Sequence, residues 1–329
     1  MRRGDVYVRG FPRLHFGLLD VGRATRRAFG GSGAAIDGLS TLVRATVGGG
    51  DLIVIGEDAH RSEIVFDILK ESKLNCPAGL RIEIVEGPTH HIGLGSETTL
   101  RLACIAAAAQ ALEIDLTDLE MQEISRRGGA SGIGIHAFFD GGFLVDGGHR
   151  SEHVESLVPS SAVRRRKVPP VLCRFNMPYS WVVRLMIPYP RPDLISGEDE
   201  LRFFREATPV PQAEVLHSIS NLYHGVVPSI LEEDFEGFKD GLLQIQQSGF
   251  KRREIARYGT QVADLLSVLN SNSETAAGMS SMGPVIFTVH KSQSSSETAA
   301  TMIPHETVSD LGLYRFRNAG FVSWKSQVA

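Results

Sequence analysis

The sequence predicts an α+β fold arranged as two domains, and three observations carry that expectation. Its 329 residues exceed what one hydrophobic core usually serves. Strand-like and helix-like segments come in runs rather than in strict β-α-β alternation. Apolar residues make up 42% and charged residues 22%, the balance of an ordinary globular chain. The texture changes after a basic run, Arg164-Arg165-Arg166-Lys167, itself read as a solvated loop. That change divides the chain into residues 1–170 and 171–329.

Val6 to Leu19 is rich in Val, Tyr, Phe and Leu and is broken at Pro12, as one or two strands would be. Gly30-Gly31-Ser32-Gly33 reads as a flexible turn, with strands at Thr41–Val47 and Leu52–Ile55. Ile64, Ile68 and Leu69 share one helical face within Glu63–Ser72. Leu80–Val85 alternates as a strand, which Glu86-Gly87-Pro88 ends. A long helix spans Ser96 to Leu112, and Thr117 with Glu120 forms a capping box for the next. Ile135–Phe139 and Phe143–Val145 read as short strands flanking Asp140-Gly141-Gly142. Strands at Val171–Phe175 and Trp181–Pro188 precede helices from Gly197 to Asn270, where Ser229 and Glu232 suggest another capping box. A strand (Val285–Val289), a helix (Ser294–Ile303) and strands at Leu313–Phe316 and Gly320–Trp324 complete the chain, with no internal repeat.

Charge and cysteine content narrow the function. With 34 Lys and Arg against 38 Asp and Glu, there is no basic field for nucleic acid. Cys76, Cys104 and Cys173 are odd in number and lack a C-x-x-C, against a disulfide framework or zinc site. The basic start, Met1 to Asp5, leads into a strand pattern rather than an apolar signal segment. The apolar run Leu102–Leu112 is far below the ~20 residues that span a bilayer. A cytoplasmic enzyme with small-molecule substrates, neither membrane-bound nor nucleic-acid-bound, is expected.

Small-residue turns carry the chemistry. Gly93-Leu94-Gly95-Ser96 opens the long helix, where free N–H groups and the helix dipole favour an anion. Ser96, Thr98 and Thr99 add hydroxyls. The bland alternative is a strand–turn–helix join with Ser96 as cap. The spacing matches neither a Walker A motif nor G-x-G-x-x-G, since Thr98 stands where the third glycine belongs. Arg126-Arg127-Gly128-Gly129-Ala130-Ser131-Gly132-Ile133-Gly134 sets two guanidiniums beside glycines, suited to phosphate or carboxylate. A helix C-terminus explains Arg126 to Gly129 equally well, but not the further glycines. Gly278-Met279-Ser280-Ser281-Met282-Gly283-Pro284 has the same character.

Taken in order, Pro12-Arg13-Leu14-His15-Phe16-Gly17-Leu18-Leu19-Asp20, His91 to Ser96, Arg127 to Gly134, Gly141-Gly142-Phe143-Leu144-Val145-Asp146-Gly147-Gly148-His149 and Gly278 to Pro284 make a recognisable set. Across nearly the whole chain the sequence resembles the β-ribofuranosylaminobenzene 5′-phosphate synthases, a branch of the GHMP kinase superfamily. The resemblance implies a GHMP-kinase-like fold, an N-terminal α+β domain followed by a ferredoxin-like domain. It also implies a reaction of tetrahydromethanopterin biosynthesis, in which phosphoribosyl pyrophosphate condenses with 4-hydroxy- or 4-aminobenzoate. Pyrophosphate and carbon dioxide leave, a C-glycosidic bond forms, and Mg²⁺ is the expected metal. Glu97 departs from the family's G-L-G-S-G-T, placing a carboxylate where phosphate is expected unless it holds Mg²⁺ or points away. No carboxylate follows Ser131-Gly132 before Asp140, which argues against the alternative, an ATP-dependent small-molecule kinase of this fold.

The resulting expectations are specific. Arg13, Gly93, Gly95, Ser96, Thr98, Thr99, Gly129, Ser131, Gly132, Ser280 and Ser281 bind phosphate or substrate. Arg126 and Arg127 take a phosphate or the benzoate carboxylate. Asp20 or Asp146 binds Mg²⁺, ribose hydroxyls or the developing cation, with turn-capping as the competing role. Glu97 is a second metal candidate. His15 or His149 hydrogen-bonds the para substituent or moves a proton, although His15 also fits a structural histidine. His149 and His153 stand at i, i+4 without further zinc ligands nearby, and His90-His91 shapes its turn. A homodimer is expected.

Overall fold

The computed structural model describes residues 4–75, 79–87, 92–159, 162, 167–194, 197–301, 303 and 305–326. His90-His91, Cys76 and Arg164 to Arg166 lie outside the described residues. The first elements are β1 (Val6–Gly10), β2 (Arg13–Asp20), β3 (Arg27–Asp37), β4 (Thr41–Val47), β5 (Leu52–Ile55), α1 (Ala59–Lys70), β6 (Leu80–Glu86), α2 (Ser96–Leu112), α3 (Asp118–Ser125), α4 (Ile133–Asp140), β7 (Phe143–Asp146) and β8 (His149–Arg150). Then come β9 (Val171–Phe175), β10 (Val182–Pro188), α5 (Glu198–Ala207), α6 (Gln212–Asn221), α7 (Val227–Leu231), α8 (Phe235–Gln246), α9 (Gly249–Ala256) and α10 (Gly259–Ser271). The last are β11 (Ala276–Met279), β12 (Ile286–His290), α11 (Gln293–Ala300), β13 (Val308–Phe316) and β14 (Val322–Lys325).

One sheet runs β14-β1-β4-β6-β5, antiparallel except for β5 with β6. The other runs β11-β12-β10-β13-β3-β7-β9, with β2 and β8 also paired to β3. Residue 170 is crossed by several pairings: β9 lies on β7, β13 on β3, and β14 returns to β1. The two halves therefore share a sheet instead of meeting at a linker.

Two cores fix the elements that bear the site. α2 is apolar on nearly every face, with Leu100, Leu102 to Ile105 and Ala106 to Ala109 all buried, and it packs on β1 and β4. Burial of Leu100, Leu102 and Ile105 contributes ~1.5–3 kcal/mol each. On the other side, the Phe16 ring of β2 meets Phe143, Phe238 and Phe287 at centroid distances of 6.1, 6.2 and 5.4 Å. That cluster clamps β2 between the large sheet and α8.

Some expectations are corrected. Gly30 to Gly33 is not a turn but the middle of β3. A Cβ on Gly33 would meet Leu14 O at 2.2 Å and Ile133 Cγ2 at 2.8 Å, so glycine serves close approach across the sheet. Ile135–Phe139 lies in helix α4; periodicity alone cannot separate a short buried strand from a short buried helix. Ser229 caps nothing: it sits inside α7 with its hydroxyl on Gly225 O, and Asp234 caps α8. α2 and the Thr117–Glu120 capping box match their expected positions.

Candidate functional site

Leu14 and Phe16 are wholly buried in the core, so strand alternation turns Arg13 and His15 to the opposite face of β2. The turns close around them. Gly93 O accepts from Arg13 Nη1 at 2.7 Å and from Ser280 Oγ at 2.8 Å. Ser280 Oγ accepts the His15 backbone N–H at 3.0 Å, while Ser281 N donates to His15 O at 3.0 Å. Gly93 has φ +98, and a Cβ there would lie 2.2 Å from Ser280 O, so only glycine permits this approach. From the remaining turn, Arg127 Nε donates to Thr98 Oγ1 at 3.1 Å, and Ser131 Oγ lies 3.1 Å from His15 Nε2.

Together they enclose a cavity of about 200 Å³. Arg13, His15, Gly93, Gly95, Ser96, Glu97, Thr98, Arg127, Ser131 and Ser281, all named from the sequence, line it. Gly95 begins α2 with φ 74 and no side-chain cap, so the positive end of the helix is open to an anion.

Two arginines and three glutamates line the cavity, and the arginines lie against the start of α2. Burial, and then the neighbouring Arg127, push Arg13 down to about 10, and Arg13 Nε is buried with no hydrogen-bond partner among the described residues. Burial, then Arg101, lowers Arg127, against the pull of Glu97 and Glu200. Burial, then Arg13 and Lys251, holds His15 well below the usual imidazole range, so it is neutral. Glu97 does not repel an anion as its position suggests. Burial alone would raise its carboxyl, but Arg101, Arg127 and Arg61 outweigh that and keep it ionised. Its Oε1 accepts from Arg101 Nε at 2.6 Å, and Oε2 lies 3.8 Å from Arg61 Nε. The carboxylate is thus occupied by cations of the protein itself.

Other expected site residues stand elsewhere. Asp20 caps its own loop, accepting from Gly22, Ala24 and Thr25 N–H groups and from the Thr25 hydroxyl, and does not line the cavity. Arg126, in left-handed conformation at the end of α3, pairs outward with Glu71. His149 stacks edge-on against Phe29, also off the cavity. Thr99 turns its hydroxyl to Phe11 O and Gly95 O. Ser280 joins the turns from behind, and Gly129 and Gly132 shape theirs without reaching the cavity wall. Asp146 is wholly buried behind the wall, on Ser131 Oγ at 2.8 Å and the N–H groups of Gly132 and Gly148 at 3.0 and 2.9 Å.

The sequence left several wall residues unnoticed. Glu200 and Phe204 come from α5, Glu254 from α9, and Leu18 and Met282 add apolar surface. Behind Glu254, Lys251 is 1% exposed, donates to Ser281 O at 2.6 Å and lies 2.6 Å from Glu254 Oε2. In the basic run Lys251-Arg252-Arg253-Glu254 this i, i+3 pair looks like a solvated helix face. Only its register with buried Phe250 hints otherwise.

No protein-family model matches the chain. It is 33% identical over 279 residues to the beta-ribofuranosylphenol 5′-phosphate synthase of Archaeoglobus fulgidus, covering 84% of this chain and 85% of that protein. To the protein of the same name from Methanothermobacter thermautotrophicus it is 31% identical over 293 residues, covering 87% and 88%. Among solved structures, homoserine kinase from Cytophaga hutchinsonii has a TM-score of 0.67 at 14% identity, over 97% of both chains. Mevalonate diphosphate decarboxylase from Staphylococcus aureus has a TM-score of 0.64 at 12% identity, over 98% of both. The architecture is GHMP-kinase-like.

Proposed function

The chain belongs to the beta-ribofuranosylphenol 5′-phosphate synthase family, and from that premise we propose that it joins phosphoribosyl pyrophosphate to 4-hydroxy- or 4-aminobenzoate, as a step of tetrahydromethanopterin biosynthesis. The observation that carries this reading is the pair Arg13 and Arg127 at the uncapped start of α2. Two like charges in a partly buried cavity repel, and an anion between them removes that cost. Guanidinium forks and helix N–H groups suit phosphate oxygens. In the reaction, the C1′–O bond breaks with its electron pair leaving on pyrophosphate. The ring carbon bearing the carboxylate bonds to C1′, and carbon dioxide then departs as its bonding pair restores the aromatic ring. Leu18, Ala130, Phe204 and Met282 offer an apolar wall for that ring and exclude water from the ribosyl cation.

Mg²⁺ enters the proposal on the pyrophosphate. Among the described residues no group of three or more His, Cys, Asp or Glu is placed to hold a metal alone. A magnesium ion carried by phosphate needs only one or two protein carboxylates, and the cavity provides Glu200 and Glu254. When bound, the ion neutralises charge on the departing pyrophosphate. A kinase of the same fold is the weaker reading, because the relatives of 33% and 31% identity are both named as synthases.

The test incubates the protein with Mg²⁺, phosphoribosyl pyrophosphate and each benzoate labelled at the carboxyl carbon. Labelled carbon dioxide should appear together with pyrophosphate. No release from either acid, with ATP consumed against an alcohol instead, overturns the reading. No helix among the described residues is long and apolar enough to cross a membrane.

A further inference from the structure

Ser131 has one proton and two lone pairs to distribute, and its surroundings dictate how. Its Oγ lies 2.8 Å from Asp146 Oδ2, a carboxylate that already accepts from Gly132 and Gly148. An ionised carboxylate only accepts, so the Ser131 proton points to Asp146. The Ile133 N–H donates to the same Oγ at 3.2 Å. His15 Nε2, at 3.1 Å, then faces a lone pair and must carry the ring proton. Neutral His15 is therefore the Nε2–H tautomer, which leaves its lone pair on Nδ1. No hydrogen bond among the described residues occupies Nδ1, and His15 lines the cavity.

We propose that Asp146 is a positioning residue that acts through Ser131 to hold His15 as the Nε2–H tautomer, so that Nδ1 accepts the proton of the aromatic substrate's para substituent. The proposal deepens the synthase reading and rests on it. As the ring carbon bonds to C1′, the para O–H proton passes to Nδ1 and the ring becomes a neutral dienone. When carbon dioxide leaves, the bonding pair returns to the ring and oxygen, and the proton goes back from Nδ1 to oxygen. Nothing is gained or lost beyond the overall reaction.

The charged surroundings support this device. Burial, then Arg13 on β2 and Lys251 on α9, opposes the imidazolium, so the resting ring is neutral and only weakly basic. It takes the para proton once bond formation to C1′ has made that O–H strongly acidic, and returns it readily. Glu254 neutralises Lys251 from the same helix. His136 on α4 and Tyr223, in the π-helical segment Leu222–Val226 between α6 and α7, interact with Asp146. Burial raises Asp146 to about 6, against the hydrogen bonds from Gly148, Ser131 and Gly132. Below that pH, protonated Asp146 can itself donate to Ser131. The Ser131 proton then turns to His15 Nε2, and the ring proton moves to Nδ1.

The test uses the whole protein labelled with ¹⁵N at histidine, with the His15 signals assigned by their loss in His15→Gln. Wild type without substrate should show Nε2–H at pH 8 and change tautomer as the pH falls through 6. With 4-hydroxybenzoate, Ser131→Ala should lose about 10- to 100-fold in kcat with the KM for phosphoribosyl pyrophosphate unchanged. It should regain activity at alkaline pH, where the phenol ionises unaided, and Ser131→Thr should restore the tautomer. An Nδ1–H ring in wild type at pH 8, or no tautomer change through pH 6, overturns the relay whether or not the Ser131 variants fold. An unchanged kcat in folded Ser131→Ala overturns the proton-accepting role. Because the tautomer is read without substrate, absence of synthase turnover would overturn the parent reading separately.

Discussion

Asp20 and Asp146 each end a β-strand, β2 and β7, and each is nearly or wholly buried, at 2% and 0% exposure. Asp20 spends its carboxylate on three backbone N–H groups and a hydroxyl of its own loop, all within five residues. Asp146 accepts from two backbone N–H groups, of which one belongs to the distant Gly132 turn, and from Ser131. One carboxylate therefore stabilises a local turn, while the other links a strand end to the cavity wall. Burial and strand-end position do not distinguish such roles; the sequence distance of the hydrogen-bond donors does.

The variant with the largest expected effect tests the local side of that contrast. Asp20→Ala removes four hydrogen bonds from half-buried or exposed donors of its loop, at ~0.5–1.5 kcal/mol each, so denaturant unfolding should show a loss of a few kcal/mol. The turnover of the molecules that remain folded should be near wild type. A selective loss of turnover would instead tie Asp20 to the chemistry. Next comes Asp146 and pH. Its folded-state value of about 6 exceeds the ordinary 3.8, so the folded protein holds this proton more tightly than the unfolded chain. Its contribution to stability is accordingly greatest at acid pH and is lost as pH rises from about 4 to 6. Thermal melts across that window should show wild type falling relative to Asp146→Asn; parallel curves would remove the buried-carboxylate account.

Arg127→Ala should raise the KM for phosphoribosyl pyrophosphate about 10- to 100-fold, the loss of a charge-assisted contact of ~1.5–3 kcal/mol. Arg126→Ala removes only an outward ion pair worth about 0–1 kcal/mol and should leave initial-rate kinetics unchanged. Equal effects would mean that the adjacent guanidiniums share one role after all. Gly31→Ala probes the same wall by volume instead of charge, because its Cβ would press on His15 Nε2 at 2.9 Å and Ser131 Oγ at 3.0 Å. A cost of ~1–3 kcal/mol is expected, together with reduced kcat and an intact circular dichroism spectrum.

Much of the N-terminal half was legible because its signals are local. The glycine turn and apolar run that delimit α2, and the Thr117–Glu120 box, lie within a few residues of what they determine. Gly30 to Gly33 misled because composition does not separate a glycine needed for positive φ from one needed for close approach across a sheet. Lys251 and Glu254 stayed hidden for a related reason. Whether a charged pair faces water or a cavity depends on the partner of its helix, here β2, far away in sequence. Arg126 and Arg127 differ only by a left-handed residue at a helix end, which swings one guanidinium outward.

The pairing of β1 with β14 sets Val6 opposite Lys325. A ribosome releases the first of these strands long before it has made the second. The small sheet is thus left with an open edge on β1 throughout synthesis, a site for aberrant strand addition until β14 arrives. The aromatic stack of Tyr7 on Trp324, 5.4 Å between centroids, marks the closing of that edge. Its near-ultraviolet signal is a natural timer for the last step of assembly.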